Sequence, residues 1–329
     1  MKRSVLIGML IVLLSFTGAV GVMFAEGQGE AAGNQIKIAW ASDLDPADVA
    51  DLLGIEMIPG NIKVTTTELT EDSAVVASLI NGNQDIGTID VTAAVRAMQM
   101  GVPLKVIMPT NAKVEFAMVA QPGIESIQDF KGKKVAFHAP GSLTEILPKM
   151  LVDRADGISH GDIDWVILPE SPNRAAAMKA KRIDVTCLEV SDILTLQEEG
   201  DFNMLDSFTD VAPEAMATVW VTTEKFYNNN KELVKEVGIA LAKGYQQAYN
   251  DKEAWMEQAR KVTQYSDERL SNSYDVYKQM GMFPSGDLLS KEHWEQMIDF
   301  YVSVGEIEDP TSYDVVASEV IEAAAAAVE

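Results

Sequence analysis

Few residues in this sequence are spaced to do chemistry. The histidines are His138, His160 and His293, and none has a partner at metal-ligand spacing. Cys187 is the only cysteine, so neither a structural zinc site nor a disulfide framework can be assembled. No Gly-x-Ser-x-Gly elbow marks a hydrolase, and no glycine-rich loop follows a strand to cradle a phosphate. Asp43 and Asp45 are close enough for acid–base work. In a chain with 50 Asp and Glu against 26 Lys and Arg, however, such pairs usually serve as solvated turn residues and helix caps. The sequence therefore predicts no catalytic residue, no metal and no cofactor. Cys187 sits in an apolar run and reads as a small buried residue.

What remains is binding. In open α/β sheets ligands sit beyond the carboxyl ends of the strands. The loops expected there are residues 42–45, 90–92, 138–144 and 188–192. The third is the most informative. Pro140-Gly141 makes a turn, and Ser142 stands at the start of a helix predicted over Leu143–Arg154. Free N–H groups and the helix dipole there suit an anionic group. Ser142 with Glu145 also spells an N-capping box, and the two readings stand level.

The elements that must position these loops alternate. Strands are predicted at 36–40, 63–67, 86–89, 104–108 and 116–120, then at 135–138, 164–168, 183–188 and 216–222. Between them lie helical patterns. Pro46 opens one, Asn81-Gly82-Asn83 stops another, and Gly101 stops a third. Further helices are predicted at 143–154 and 173–180. Beyond Thr223 the chain turns to long helices, and Trp294, Met297, Ile298 and Tyr301 form one core-facing stripe. Residues 322–329, with their alanine run, are expected to fray. Strands separated by helices imply mostly parallel sheets and an α/β fold. Two such units, joined around Ala120 and Val219, suggest a hinged pair of lobes.

Composition bounds the rest. At 329 residues and 47% apolar content the chain is globular, with room for two lobes. A net charge of −24 opposes nucleic acid and anionic lipid as partners. Lys2 and Arg3 precede an apolar run over 5–25, which reads as a secretory signal cleaved after Ala25, with an uncleaved anchor as the alternative. Residues 26–35 form a Gly-, Ala- and Gln-rich spacer. No cysteine follows the signal, so a lipoprotein anchor is not expected.

Three segments carry a family resemblance: 75–90 (VVASLINGNQDIGTID) with Gly101-Val102-Pro103-Leu104-Lys105, 129–142 (DFKGKKVAFHAPGS), and 175–185 (AAAMKAKRIDV). The chain resembles ABC-transporter solute-binding proteins of the nitrate/sulfonate/taurine and thiamine-pyrimidine type over about residues 36–304. The third segment has Lys181 where the family usually has glycine. The likeness implies a two-lobed, type II periplasmic-binding-protein-like α/β fold. Lobe one would be 36–120 plus 220–329, and lobe two 121–219. It further implies an exported, monomeric receptor that closes on a small-molecule ligand and delivers it to the membrane permease of an ABC importer. The alternatives are an enzyme on the same fold, of the thiamine-pyrimidine or menaquinone-pathway type, or a ligand sensor.

By the same resemblance the ligand contacts fall on Ser42 and Asp43, on Asp90, Val91 and Thr92, on Gly141, Ser142 and Leu143, and at Glu189 and Trp220. The chain departs from the family after its first strand, with Asp45-Pro46-Ala47-Asp48 and Gly54-Ile55-Glu56 in place of an aromatic-rich helix and turn. The start of the 143–154 helix favours an anionic group, whereas Asp43, Asp90 and Glu189 favour a cation or hydrogen-bond donor. A zwitterion or amine-bearing ligand is therefore expected, such as an amino-sulfonate, or else a polar heterocycle such as a pyrimidine. Trp40 and Trp220 have the shape to stack on a planar ligand, though a Trp at a strand end is more often core.

Overall fold

Aliphatic and β-branched runs of four to six residues make ten strands among the described residues, and these pair into two sheets. The computed structural model describes residues 35–328 apart from Asp43, Thr70 and Asp287. The expected signal segment, nearly all of the spacer, and Asp43 lie outside the described residues. The first sheet has the order β2 (Lys63–Glu68), β1 (Gln35–Trp40), β3 (Ile86–Asp90), β10 (Thr218–Thr223), β4 (Leu104–Pro109). The second runs β7 (Asp164–Ile167), β6 (Lys134–Phe137), β8 (Val185–Glu189), β5 (Phe116–Ala120), β9 (Asn203–Ser207). The two share one plan. In each, four of the five strands run one way and the fourth in order runs antiparallel between its neighbours.

Those fourth strands shift the expected lobe boundaries. β5 was assigned by sequence to lobe one, yet it pairs with β8 and β9 in the second sheet. β10, which the boundary at 220 cuts in two, belongs wholly to the first sheet. The chain crosses between sheets over residues 110–115, directly after Pro109 and through Asn111, ahead of the boundary expected at Ala120. Gln121-Pro122-Gly123 punctuates the chain only after the crossing is complete.

Helices flank both sheets: α1 (Val49–Glu56), α2 (Asp72–Ile80), α3 (Val91–Gln99), α4 (Leu143–Arg154), α5 (Ser171–Lys179) and α6 (Val190–Glu199). The carboxy-terminal third adds α7 (Glu224–Asn229), α8 (Lys231–Asn250), α9 (Lys252–Val262), α10 (Asp267–Met280), α11 (Lys291–Ser303) and α12 (Ser318–Ala326). Trp294, Met297, Ile298 and Tyr301 of α11 are buried as the stripe predicts. Two expectations fail. Residues 190–192 are the first turn of α6 rather than loop, because Val190, Ile193, Leu194 and Leu196 supply it with a buried face. The tail is ordered through residue 326 as well: α12 runs to Ala326 with Ala324 buried, and Val320 ahead of it fits over Gly238 of α8. A Cβ on Gly238 would come within 2.3 Å of that valine.

The closest helix crossing lies behind the first sheet. A Cβ on Gly244 of α8 would lie 2.1 Å from the backbone nitrogen of Gly54 in α1. Only glycine lets the two backbones meet there. Gly54, part of the departure from the family pattern, is thus a packing residue.

Candidate functional site

Each sheet ends its central strand on an acid. Asp90 closes β3 and stands at the start of α3; Glu189 closes β8 and stands at the start of α6. Both positions are extended, and neither side chain caps its helix. The backbones match as well: Val91 N–H donates to Ala217 O (2.9 Å) and Val190 N–H to Glu115 O (3.0 Å). These bonds tie the two crossing segments to the strand ends. The two carboxylates thereby stand at the same place in each sheet, at the carboxyl end where a ligand site belongs.

More acids gather around them. Asp45 and Asp48 bracket the turn Pro46–Asp48: Asp45 Oδ1 accepts from Ala47 N–H (2.6 Å), and Asp48 Oδ2 accepts from Asp45 N–H (2.9 Å). Glu115 sits on the crossing segment itself. Burial pushes its carboxyl well above the usual range, and Asp45, Glu189, Asp48 and Asp90 push it further. The protein crowds Asp90 from most sides although water still reaches it. Burial, then Asp72 and Glu189, raise it to about 7, with Arg96 opposing. Burial, then Asp192 and Asp45, raise Glu189 to about 7, with Arg174 opposing. Burial raises Asp48 well above its ordinary value, and Asp45 adds to the rise. Asp45 is raised by burial too, with Ala47 N–H and the Ser191 side chain of α6 offsetting part of the effect. First-sheet, crossing-segment and second-sheet carboxylates thus lie close enough for their charges to act on one another.

Tyr277 of α10 closes this cluster. Its side chain is 1% exposed, and its hydroxyl has no hydrogen-bond partner. Burial first, then the charges of Asp45, Glu115, Asp48 and Glu189, hold the phenol well above its ordinary range. The same helix grips the second sheet's α6 through Arg269, which donates to Thr195 Oγ1 (2.6 Å) and Ser191 O (3.3 Å).

The turn before α4 is built differently from either sequence reading. Glu145 does not complete a capping box with Ser142. Its Oε2 instead accepts from Gly141 N–H (2.7 Å), and its Oε1 accepts from Lys149 Nζ (2.6 Å). Burial opposes charge on Glu145, but Lys149 and Gly141 outweigh it and hold the carboxyl below its usual range. The Ser142 hydroxyl donates to Ala139 O (2.8 Å) and lies 2.9 Å from Thr144 Oγ1. The turn before α4 therefore already holds an anion, the chain's own Glu145, at Gly141 N–H and Lys149.

The other expected contacts divide. Ser42 is exposed beside the β1 end, and Thr92 and Leu143 are half-buried. Val91 is fully buried, so its side chain faces the core. Trp220 is a correction: it is 0% exposed, its indole N–H donates to Asp51 Oδ1 (2.7 Å), and its ring meets Trp40 edge-on at 5.0 Å. Both tryptophans are floor, not walls. Sequence reasoning passed over Asp48, Glu115 and Tyr277. The signal available for Asp48 was the Asp-Pro-Ala-Asp departure itself; for Tyr277, on a helix far along the chain, there was none.

A family model described as NMT1/THI5 like matches residues 60–254, more than half of the chain. No curated protein matches the sequence. Among solved structures, the ligand-binding component of an ABC-type import system from Staphylococcus aureus, solved with zinc bound, is similar with a TM-score of 0.70 at 16% identity. That match covers 88% of this chain and 98% of the other. The aliphatic sulphonate binding protein SsuA from Escherichia coli gives 0.65 at 15%, covering 86% and 91%. The nitrate-binding protein NrtA from Synechocystis PCC 6803 gives 0.64 at 14%, covering 91% and 90%. At these identities the likeness is one of fold, the periplasmic-binding-protein α/β fold expected from sequence.

Proposed function

We propose, since the chain belongs to the NMT1/THI5-like family, that it is an exported solute-binding receptor of an ABC importer. It closes its two sheets' lobes on a small organic ligand bearing an amine and hands that ligand to a membrane permease. The ligand classes expected from the loops were an amino-sulfonate or other zwitterion, and a polar heterocycle. One observation carries the reading: Asp90 and Glu189 end the central strands of the two sheets, and the charges of both act on Glu115 of the crossing segment. Acids contributed from both sides of a cleft are brought together by closure, and a donor-rich ligand offsets their repulsion. The sulfonate and nitrate named for the solved relatives are anions, and this cleft would repel them.

Mass spectrometry of protein purified under native conditions tests the proposal. A stoichiometric small molecule that carries a basic nitrogen and leaves on denaturation is expected. Adding it back should raise the melting temperature by mass action on the folded, closed form. A sensor in place of a transport receptor would bind equally well, so the two part at the partner: co-purification with permease subunits supports delivery, and with a membrane kinase supports sensing.

A further inference from the structure

The cleft gathers five carboxylates, Asp45, Asp48, Asp90, Glu115 and Glu189, and among the described residues no Lys, Arg or His forms an ion pair with any of them. Arg96, nearest to Asp90, is already paired with Glu306 (2.6 Å) and bonded to that residue's carbonyl. Arg174, whose charge opposes the rise at Glu189, is buried and donates to the carbonyls of Cys187 and Leu168 rather than to a carboxylate. Among the described residues no three His, Cys, Asp or Glu side chains come together to hold a metal ion. The charge is therefore spread over a surface rather than focused on a point.

Tyr277 makes an independent mark. A buried hydroxyl without a partner leaves its hydrogen-bonding capacity unmet, at a cost to the folded state. Tyr277 Oη bears this cost where Asp45, Asp48, Glu115 and Glu189 all act on it. The hydroxyl feels these carboxylates but bonds to none. A group placed between them that donates several N–H bonds would satisfy both, and an alkylammonium with three donors fits that requirement.

The turn before α4, expected from sequence to take an anion, is already occupied by one. Gly141 N–H and Lys149, the groups that would meet a sulfonate or carboxylate, are both bound to Glu145. An incoming anion would have to displace a carboxylate tethered four residues away.

Resting on the receptor reading, we infer that the ligand is an organic polycation with no acidic group, a diamine or longer polyamine, held by the five carboxylates and Tyr277. The zwitterionic amino-sulfonate drops out, because its amine fits and its sulfonate does not.

Calorimetric titration of ligand-stripped protein with three probes tests this: 1,4-diaminobutane, taurine and ethanesulfonate. The diamine should bind saturably and at least about tenfold tighter than taurine, as expected for one unmatched charged contact, and ethanesulfonate should give no heat. Tyr277→Phe keeps the ring in the core and should weaken the diamine several-fold. Glu145→Ala should leave the diamine unchanged and improve taurine. Taurine binding as tightly as the diamine overturns the inference, yet leaves the receptor reading intact because a small ligand still binds saturably. No diamine binding at millimolar concentration also overturns the inference, and the receptor reading then stands or falls on the retained-ligand mass alone.

Discussion

Asp90 and Glu189 are held in the folded protein at a cost. An ordinary aspartate is fully ionised at neutral pH, but Asp90 is raised to about 7 by burial and by Asp72 and Glu189. In an unliganded protein at about pH 8 its charge opposes folding, and an uncharged isostere should relieve that. Asp90→Asn is expected to melt higher by roughly 2 °C at that pH, discounting for the water that reaches the side chain. Near pH 5, where Asp90 is already protonated, the difference should vanish. The same substitution should weaken the purified protein's ligand. A variant that melts lower at pH 8 would show instead that Asp90 stabilises the fold, and scanning calorimetry at the two pH values decides. Stability and binding moving in opposite directions is the signature of a binding residue.

Helix ends show what sequence could and could not disclose. α2, α3 and α10 each end in a left-handed residue, Gly82, Gly101 and Gly281, with paired backbone bonds back into the helix. α5 ends the same way, with Lys181 N–H on Met178 O and Arg182 N–H on Ala177 O, but the left-handed residue is lysine at φ 54°. Lys181→Gly should therefore stabilise the protein by about 0.5–1 kcal/mol, read as a higher denaturation midpoint with an unchanged slope. Gly244→Ala should do the reverse. Its methyl has no space against Gly54, α1 and α8 must separate, and a loss on the order of 3 kcal/mol is expected in the same measurement. The glycine stops, the strand runs and the α11 stripe were legible because each is encoded within a few neighbouring residues. The acids at strand ends Asp90 and Glu189 were legible for the same reason. The crossing at 110–115 was not, because Pro109 and Asn111 are a weaker stop than Gln121-Pro122-Gly123 a few residues on, and Glu115 was lost with it. Glu145 was misread because a capping box and a side chain bonded to the preceding turn share one spacing; only coordinates separate Gly141 N–H from Ser142 N–H as its donor. Tyr277 reaches the cleft acids, and Arg269 reaches α6, from α10, contacts between segments far apart in sequence that no local pattern reports.

At the scale of the whole molecule these local costs add to a dependence on pH whose sign can be worked out. Asp51, buried beneath the cleft with Trp220 and Tyr245 donating to it, is raised to about 7 by burial, as are Asp90 and Glu189 by burial and neighbours. The Tyr245 hydroxyl faces two acceptors, Asp51 Oδ1 at 2.6 Å and Pro109 O at 2.8 Å, with a single hydrogen to give. Each of these carboxyls is protonated in the folded state over a range, from about pH 4 to about pH 7, in which the unfolded chain has already lost its proton. The folded state binds more protons there, so stability falls as pH rises through that window and levels off above it. The overall charge of −24 works in the same direction by self-repulsion. Salt separates the two contributions. At about 1 M the Debye length shrinks to roughly 3 Å, which removes most surface repulsion but leaves the crowded carboxyls of the cleft and its floor. Unliganded protein should therefore melt several degrees higher near pH 5 than near pH 8, and much of that gap should survive in 1 M sodium chloride. A gap abolished by salt would place the effect on the outer helices. A higher melting point at pH 8 would mean that the cleft acids carry no burden in the empty protein. Bound ligand that supplies ammonium groups should narrow the gap by stabilising the ionised carboxylates, and should release protons as it binds near pH 6, measurable as buffer-dependent heat.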